Sequence, residues 1–194
     1  MSRSKKSPPQ QPTISLRTRF LAWYAARSPV LRFGLNFGLW LALFYALLTT
    51  PFFDRALYTY LEANAWLANA ILSALGQHTH VNEVTIQSPQ FSMAIRRGCD
   101  AVEPTWLLCA AIISFPAPLR HKLWGMLAAI VLLQVMNLVR IITLYWIGIH
   151  LPGFFNPAHM ELWPTAFIAV AIAFFIGWRE KSQQPATPAV VERL

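Results

Sequence analysis

Charge is scarce in this chain. Only 12% of its 194 residues are Asp, Glu, Lys or Arg, against about 25% in ordinary soluble domains. Cysteine is scarcer still, at two, which excludes a disulfide scaffold. Acids are few, eight against sixteen basic residues, giving a net charge of +8. Hydrophobic residues make up 56%, too many for a disordered body. No short apolar stretch ending at a small-residue cleavage site follows the early charges, so the amino terminus does not read as a cleavable signal peptide. There is no internal repeat. A basic chain this apolar points to lipid rather than to nucleic acid.

Four segments are apolar enough for helices in a bilayer, which takes about 20 residues each. They are Phe33 to Thr50, stopped by Pro51; Pro104 to Phe115, the shortest; Leu123 to Ile149; and Leu162 to Trp178, closed by Arg179, Glu180 and Lys181. The third has one charge, Arg140, and at 1.5 Å per residue is roughly 40 Å long, so it tilts or protrudes. Residues 56–75 read as a helix with Glu62, Asn64 and Asn69, either a fifth span or an amphipathic helix at the interface. In residues 81–97, Val84 and Ile86, then Phe91, Met93 and Ile95, alternate with polar neighbours around Ser88-Pro89-Gln90, which predicts a small β-hairpin outside the lipid. The expected fold is all-α integral membrane, with about four transmembrane helices, an interfacial helix and a hairpin. Residues 1–32 form a basic cytoplasmic tail, disordered through Pro12. Residues 33–179 form the transmembrane domain, and 180–194 a flexible cytoplasmic tail. Tryptophans near the span ends (Trp23, Trp124, Trp146, Trp163, Trp178) read as interfacial anchors.

Charge selects the topology. With four spans and the amino terminus inside, twelve of the sixteen basic residues lie inside and three (Arg55, Arg96, Arg97) outside. A fifth span would bring the division to nine and six, so the positive-inside rule favours four, with both termini cytoplasmic.

This topology gathers three residues at the outer face. Cys99 stands where the hairpin meets the second span, Arg140 in the outer half of the third, and His159 in the loop before the fourth. An arginine at a helix centre costs about 2.5–3.5 kcal/mol on insertion scales, which marks Arg140 as functional by default. The structural alternative is that it snorkels or pairs with Glu103 or Glu161. Asn137 and Gln134 precede it at three-residue steps and put polar groups on neighbouring faces. Arg96, Arg97 and a helix start favour a thiolate at Cys99, while Asp100 and Glu103 oppose it; the alternative is an inert buried cysteine. Cys109, ten residues on, reads as a small core residue. His159 is a candidate base for the thiol, with His150, His78 and His80 as competitors. Glu161 either orients His159 or only begins the fourth helix. His78-x-His80 with a further histidine lacks the spacing of a familiar zinc site, so no metal and no cofactor are expected.

The motifs Arg97-Gly98-Cys99-Asp100, Asn137-Leu138-Val139-Arg140-Ile141 and Ala158-His159-Met160-Glu161, in this order and on one membrane side, resemble those of the exosortase/archaeosortase family of membrane cysteine transpeptidases. The loop Phe115-Pro116-Ala117-Pro118-Leu119-Arg120-His121-Lys122-Leu123 resembles that family's inner loop. The resemblance covers roughly residues 33–179. Many members follow the cysteine with a small residue and glycine; Asp100-Ala101-Val102-Glu103 is closer to the H-type exosortases. Many also have about eight spans, so this chain resembles a compact core version.

The resemblance implies cleavage of carboxy-terminal sorting signals (a short motif, a transmembrane helix and a basic cluster) on exported proteins, at the outer face of the inner membrane, with transfer of the new end to an acceptor. It implies Cys99 as nucleophile, His159 as general base and acid, and Arg140 as oxyanion or substrate stabiliser. Arg97, Asn137, Glu103 and Glu161 would support them, with Asn137 orienting Arg140. Two other classes compete. One is a non-enzymatic membrane subunit or chaperone binding a partner's transmembrane helix. The other is a small transporter with Arg140 as an anion site.

Overall fold

A computed structural model describes residues 16–183 of the chain. Six helices and three short strands run in the order α1 (Leu16–Leu48), α2 (Pro51–Ala74), β1 (His80–Asn82), β2 (Thr85–Gln87), β3 (Ser92–Ala94), α3 (Val102–Ser114) and α4 (Leu119–His150). A 3-10 turn (Pro152–Phe154), a single helical turn α5 (Phe155–Pro157) and a π turn (Ala158–Leu162) then lead into α6 (Trp163–Gln183). The stretch through Pro12 and the residues after Gln183 lie outside the described region. Within the expected basic tail, residues 16–32 are helical and belong to α1, which runs through Pro29 without ending there.

Three helical segments are long and apolar enough to cross a membrane: Ser28–Leu48, Leu119–His150 and Pro152–Gln183. The chain is a membrane protein on this ground. The other expected span, α3, has 13 residues, about 20 Å of helix against a hydrocarbon core of about 30 Å. Large apolar side chains on the long helices face outward, as Leu35, Leu39, Val131, Ile168 and Ile172 do. That is the arrangement lipid requires and water penalises. Trp106 on α3 ties α1 to the bundle: its ring stacks on Phe44 at 4.9 Å, and its Nε1 donates to the Trp40 carbonyl at 3.0 Å.

α2 begins at Thr50, whose hydroxyl accepts from the Phe53 N–H at 3.3 Å, with Pro51 in the first turn where its missing N–H costs nothing. It is not among the helices apolar enough to cross. One face is buried, carrying Leu57, Leu61, Asn64, Ala65, Ala68 and Leu72 at helical spacing. A polar seam fixes that face to α4. Tyr60 bonds Gln134 through its hydroxyl, Gln134 Nε2 donates to Asn64 Oδ1 at 2.6 Å, and Asn137 Nδ2 reaches the same oxygen at 3.4 Å.

The expected hairpin is present as β2–β3, turned at Ser88, whose hydroxyl accepts from the Phe91 N–H at 3.1 Å. A third strand, β1, pairs antiparallel with β2, so the sheet order is β1-β2-β3. The extra reversal runs through Glu83, which takes a left-handed backbone at φ 55. Ile86 and Ile95 are fully buried against Leu61, Ala65, Ile141 and Tyr145. The sheet leans on α4 where Phe91 fills the space above Gly148 and meets Tyr145 edge-on at 6.1 Å. A side chain at 148 would occupy the position of the Phe91 ring. Gly148→Leu is therefore expected to destabilise the protein by about 1–3 kcal/mol, seen as a lower thermal midpoint in detergent. Adding Phe91→Ala should return part of that loss.

Candidate active site

The chain from β3 to α3 makes a tight bend. Gly98 adopts φ 86, open to glycine at no steric cost, and Ala101 adopts φ 56, which is not. Asp100, 5% exposed, accepts the Val102 N–H through Oδ1 at 3.0 Å, satisfying one donor at the start of α3. The Tyr60 hydroxyl lies 2.9 Å from the Asp100 carbonyl oxygen, and its single proton serves either that oxygen or Gln134 Oε1. Between these fixed neighbours Cys99 is held half-buried at the head of the short helix.

His159 arrives on the π turn. Pro164, early in α6, has no N–H to return to the Met160 carbonyl, and the turn widens so that the Trp163 N–H donates to Ala158 five residues back. The sequence predicts a plain loop here. The structure has nearly continuous helix instead, and the widened turn aims the imidazole inward. Its Nε2 lies 2.7 Å from Cys99 Sγ, and its ring lies over Phe155 at 5.9 Å and 22°.

Arg140 comes from the middle of α4 and is 4% exposed. One terminal nitrogen donates to the Gly98 carbonyl at 3.0 Å; the other reaches the His159 carbonyl at 3.4 Å and Cys99 Sγ at 3.9 Å. The guanidinium carbon stands 5.9 Å from the centre of the Phe167 ring. Among the described residues no carboxylate forms an ion pair with Arg140, and its Nε–H is buried without a partner. The cation is held by backbone carbonyls and forms no ion pair, although the Asp100 carboxylate lies near enough to act on it electrostatically. Snorkelling and pairing with Glu103 or Glu161 are both replaced by this arrangement.

The remaining expected residues fall elsewhere. Arg97 pairs with Asp54 on α2, both more than half exposed, a geometry worth little in stability that fixes the chain just before Gly98. Asn137 is fully buried on α4 but bonds Asn64, and no bond links it to Arg140. Glu103 lies in the first turn of α3 and Glu161 is exposed on the π turn; neither bonds His159 or Arg140. His150 stacks on Trp146 at 5.3 Å, away from Cys99, and His80 bonds Gln87 at 3.0 Å. Among the described residues no three His, Cys, Asp or Glu side chains are grouped to hold a metal. Tyr60 and Gln134 support the site's frame more directly than the acids do. The sequence signal for Tyr60 was its place four residues before Asn64 on the buried face of α2.

Burial pushes the Cys99 thiol up, and the Arg140 guanidinium beside it offsets this only in part. Burial thus favours a thiol facing the imidazole nitrogen over a free thiolate. A cavity of about 490 Å³ opens on Cys99, Arg140 and His159, with β3 along one side and Phe155 and Leu144 on the other. A nucleophile, a base within hydrogen-bond reach and a cation free of any ion pair sharing one cavity are the parts that acyl transfer needs.

No curated protein and no solved structure matches the chain. The family described as transmembrane exosortase (EpsH) matches residues 20–177, which include every helix that builds the cavity. Match and geometry concern the same part of the molecule, and the chain belongs to the transmembrane exosortase family.

Proposed function

We propose that this protein is a membrane-embedded cysteine transpeptidase acting on carboxy-terminal sorting signals of exported proteins. The observation that carries the reading is the 2.7 Å contact of Cys99 Sγ with His159 Nε2, with Arg140 reaching both residues. His159 takes the thiol proton as Sγ attacks the carbonyl carbon of the scissile amide. The oxyanion forms beside the Arg140 guanidinium, a fixed cation in a dry surrounding, where its charge is stabilised far more than in water. Collapse breaks the C–N bond, and His159 returns its proton to the leaving amine. The acyl group stays on Cys99 as a thioester until a second nucleophile, water or an acceptor on the exported surface, takes it and frees the thiol.

The substrate is a protein whose own transmembrane helix brings the cleavage motif to the membrane face, with a basic cluster following that helix. Charge supports the orientation: Arg120, Lys122, Arg179 and Lys181 cluster at one end of α4 and α6, and the Cys99 cavity lies toward the other end of α4. On this reading the protein lies in the inner membrane with both termini cytoplasmic and Cys99 facing outward.

Sided thiol labelling tests the reading. A membrane-impermeant maleimide applied from the outer face should label Cys99, and the rate should rise with pH, because the thiol is pushed up and only its thiolate reacts. His159→Ala should slow labelling at neutral pH about a hundredfold, the lower end of the range for a lost general base. Labelling only from the inner face would overturn the orientation, and a rate indifferent to His159 would overturn the pairing.

A further inference from the structure

β3 is an edge strand: β2 pairs on one side of it, and among the described residues no strand pairs on the other. Its ladder bonds identify which backbone groups are spent. The Ile95 N–H donates to Val84 and the Ser88 N–H to the Phe91 carbonyl, at 2.8 and 2.9 Å. In an antiparallel pair such bonded positions alternate. With Met93 opposite Ile86, the groups of Phe91, Met93 and Ile95 face β2, and the N–H and C=O of Ser92 and Ala94 face away. Among the described residues no hydrogen bond uses those four groups.

The free edge borders the catalytic cavity. Residues 91 through 97 line it without a gap. A strand that turned one face toward a cavity would line it with every second residue. An unbroken run means that the backbone edge itself forms the wall. That wall leads directly into Gly98 and Cys99. Exposed edges of this kind are ordinarily blunted by charge, proline or a covering element; Ser92, Met93 and Ala94 offer none of these, and the charges come only at Arg96 and Arg97.

We infer that β3 is the substrate-docking strand: the peptide to be cleaved adds to its free edge as a fourth strand, bonding Ser92 and Ala94 through its backbone, and so delivers the scissile carbonyl to Cys99. The occupant is an extended peptide because two N–H and two C=O groups at a two-residue step match a peptide backbone in β conformation. The inference rests on the cysteine transpeptidase reading and adds how that site holds its substrate. Backbone pairing supplies affinity, and specificity is left to the side-chain positions on either face of the added strand.

Peptidyl chloromethyl ketones provide the test, since the Cys99 thiolate displaces chloride and forms a thioether without any acceptor. The full-length protein in detergent is treated with acetyl-alanyl chloromethyl ketone and with its acetyl-tetra-alanyl counterpart. Backbone pairing predicts that the longer reagent alkylates Cys99 at least tenfold faster. Ala94→Pro removes one outward N–H without touching the ladder to β2, a position where edge strands tolerate proline. It should cut that advantage to under threefold. Ala94→Ser, which keeps the N–H, should retain the advantage. An equal rate for both reagents on the unaltered protein, or an undiminished advantage in Ala94→Pro, would overturn the docking strand. Failure of the short reagent to react at Cys99 at all would instead overturn the nucleophile, a separate result.

Discussion

Arg140→Lys is expected to reduce processing by about a hundredfold to a thousandfold, the range for losing one oxyanion donor, although charge is conserved. The guanidinium is positioned by its fork: one arm on the Gly98 carbonyl, the other between the His159 carbonyl and Cys99 Sγ. An ammonium is a single point on a flexible stem and cannot hold these positions together. Arg140→Ala should be at least as damaging. It also leaves the Gly98 and His159 carbonyls without this donor, at about 1–3 kcal/mol for each that stays unsatisfied. The measurement is release of a secreted reporter fused to a motif, a transmembrane helix and a basic cluster, with membrane insertion followed in parallel. Arg140→Lys processing the reporter at the normal rate would remove the arginine from the chemistry.

His159→Ala is expected to cost about a hundredfold to ten-thousandfold in the same assay, the span for a positioned general base. The sign of its pH dependence follows from the thiol. Burial holds Cys99 protonated above its ordinary range, so without an imidazole 2.7 Å away the thiolate forms only as solution pH rises. Residual activity of His159→Ala should therefore climb steadily toward alkaline pH. The unaltered enzyme should reach its plateau at lower pH, once the imidazole is neutral and free to accept a proton. His150→Ala should change neither rate nor profile, because His150 is stacked on Trp146 outside the cavity. Reversed results for the two histidines would move the base to His150.

Why the sequence pointed to Cys99, Arg140 and His159 is a matter of topology. The bilayer forces apolar helices to run side by side, so three residues distant in sequence fall at one level once span order and charge asymmetry are read. An arginine amid apolar residues is legible because lipid penalises it. The supporting contacts were less legible, since they depend on side-chain direction. Asn137 was expected to serve Arg140, three residues along the same helix, yet it turns to Asn64 on α2. Glu103 and Glu161 drew attention by standing near Cys99 and His159 in sequence, and neither bonds the site. β1 was hidden because its connection needs a left-handed Glu83, a conformation no composition rule signals for glutamate. The π turn had a trace in Pro157 and Pro164, which bracket His159 and each withhold a helical N–H.

The seam between α2 and α4 bears on how this molecule is made. Gln134 and Asn137 emerge from synthesis some 70 residues after Asn64. Until then the buried face of α2 carries an amide with no partner on α4, and the hydrocarbon core is a poor host for it. The bonds between the two helices can therefore close only after α4 has been made. An α4 shifted in register would present Leu or Val to Asn64 in place of these amides. The same amides that fasten the frame beneath Cys99 thus tie that frame to one register of the two helices.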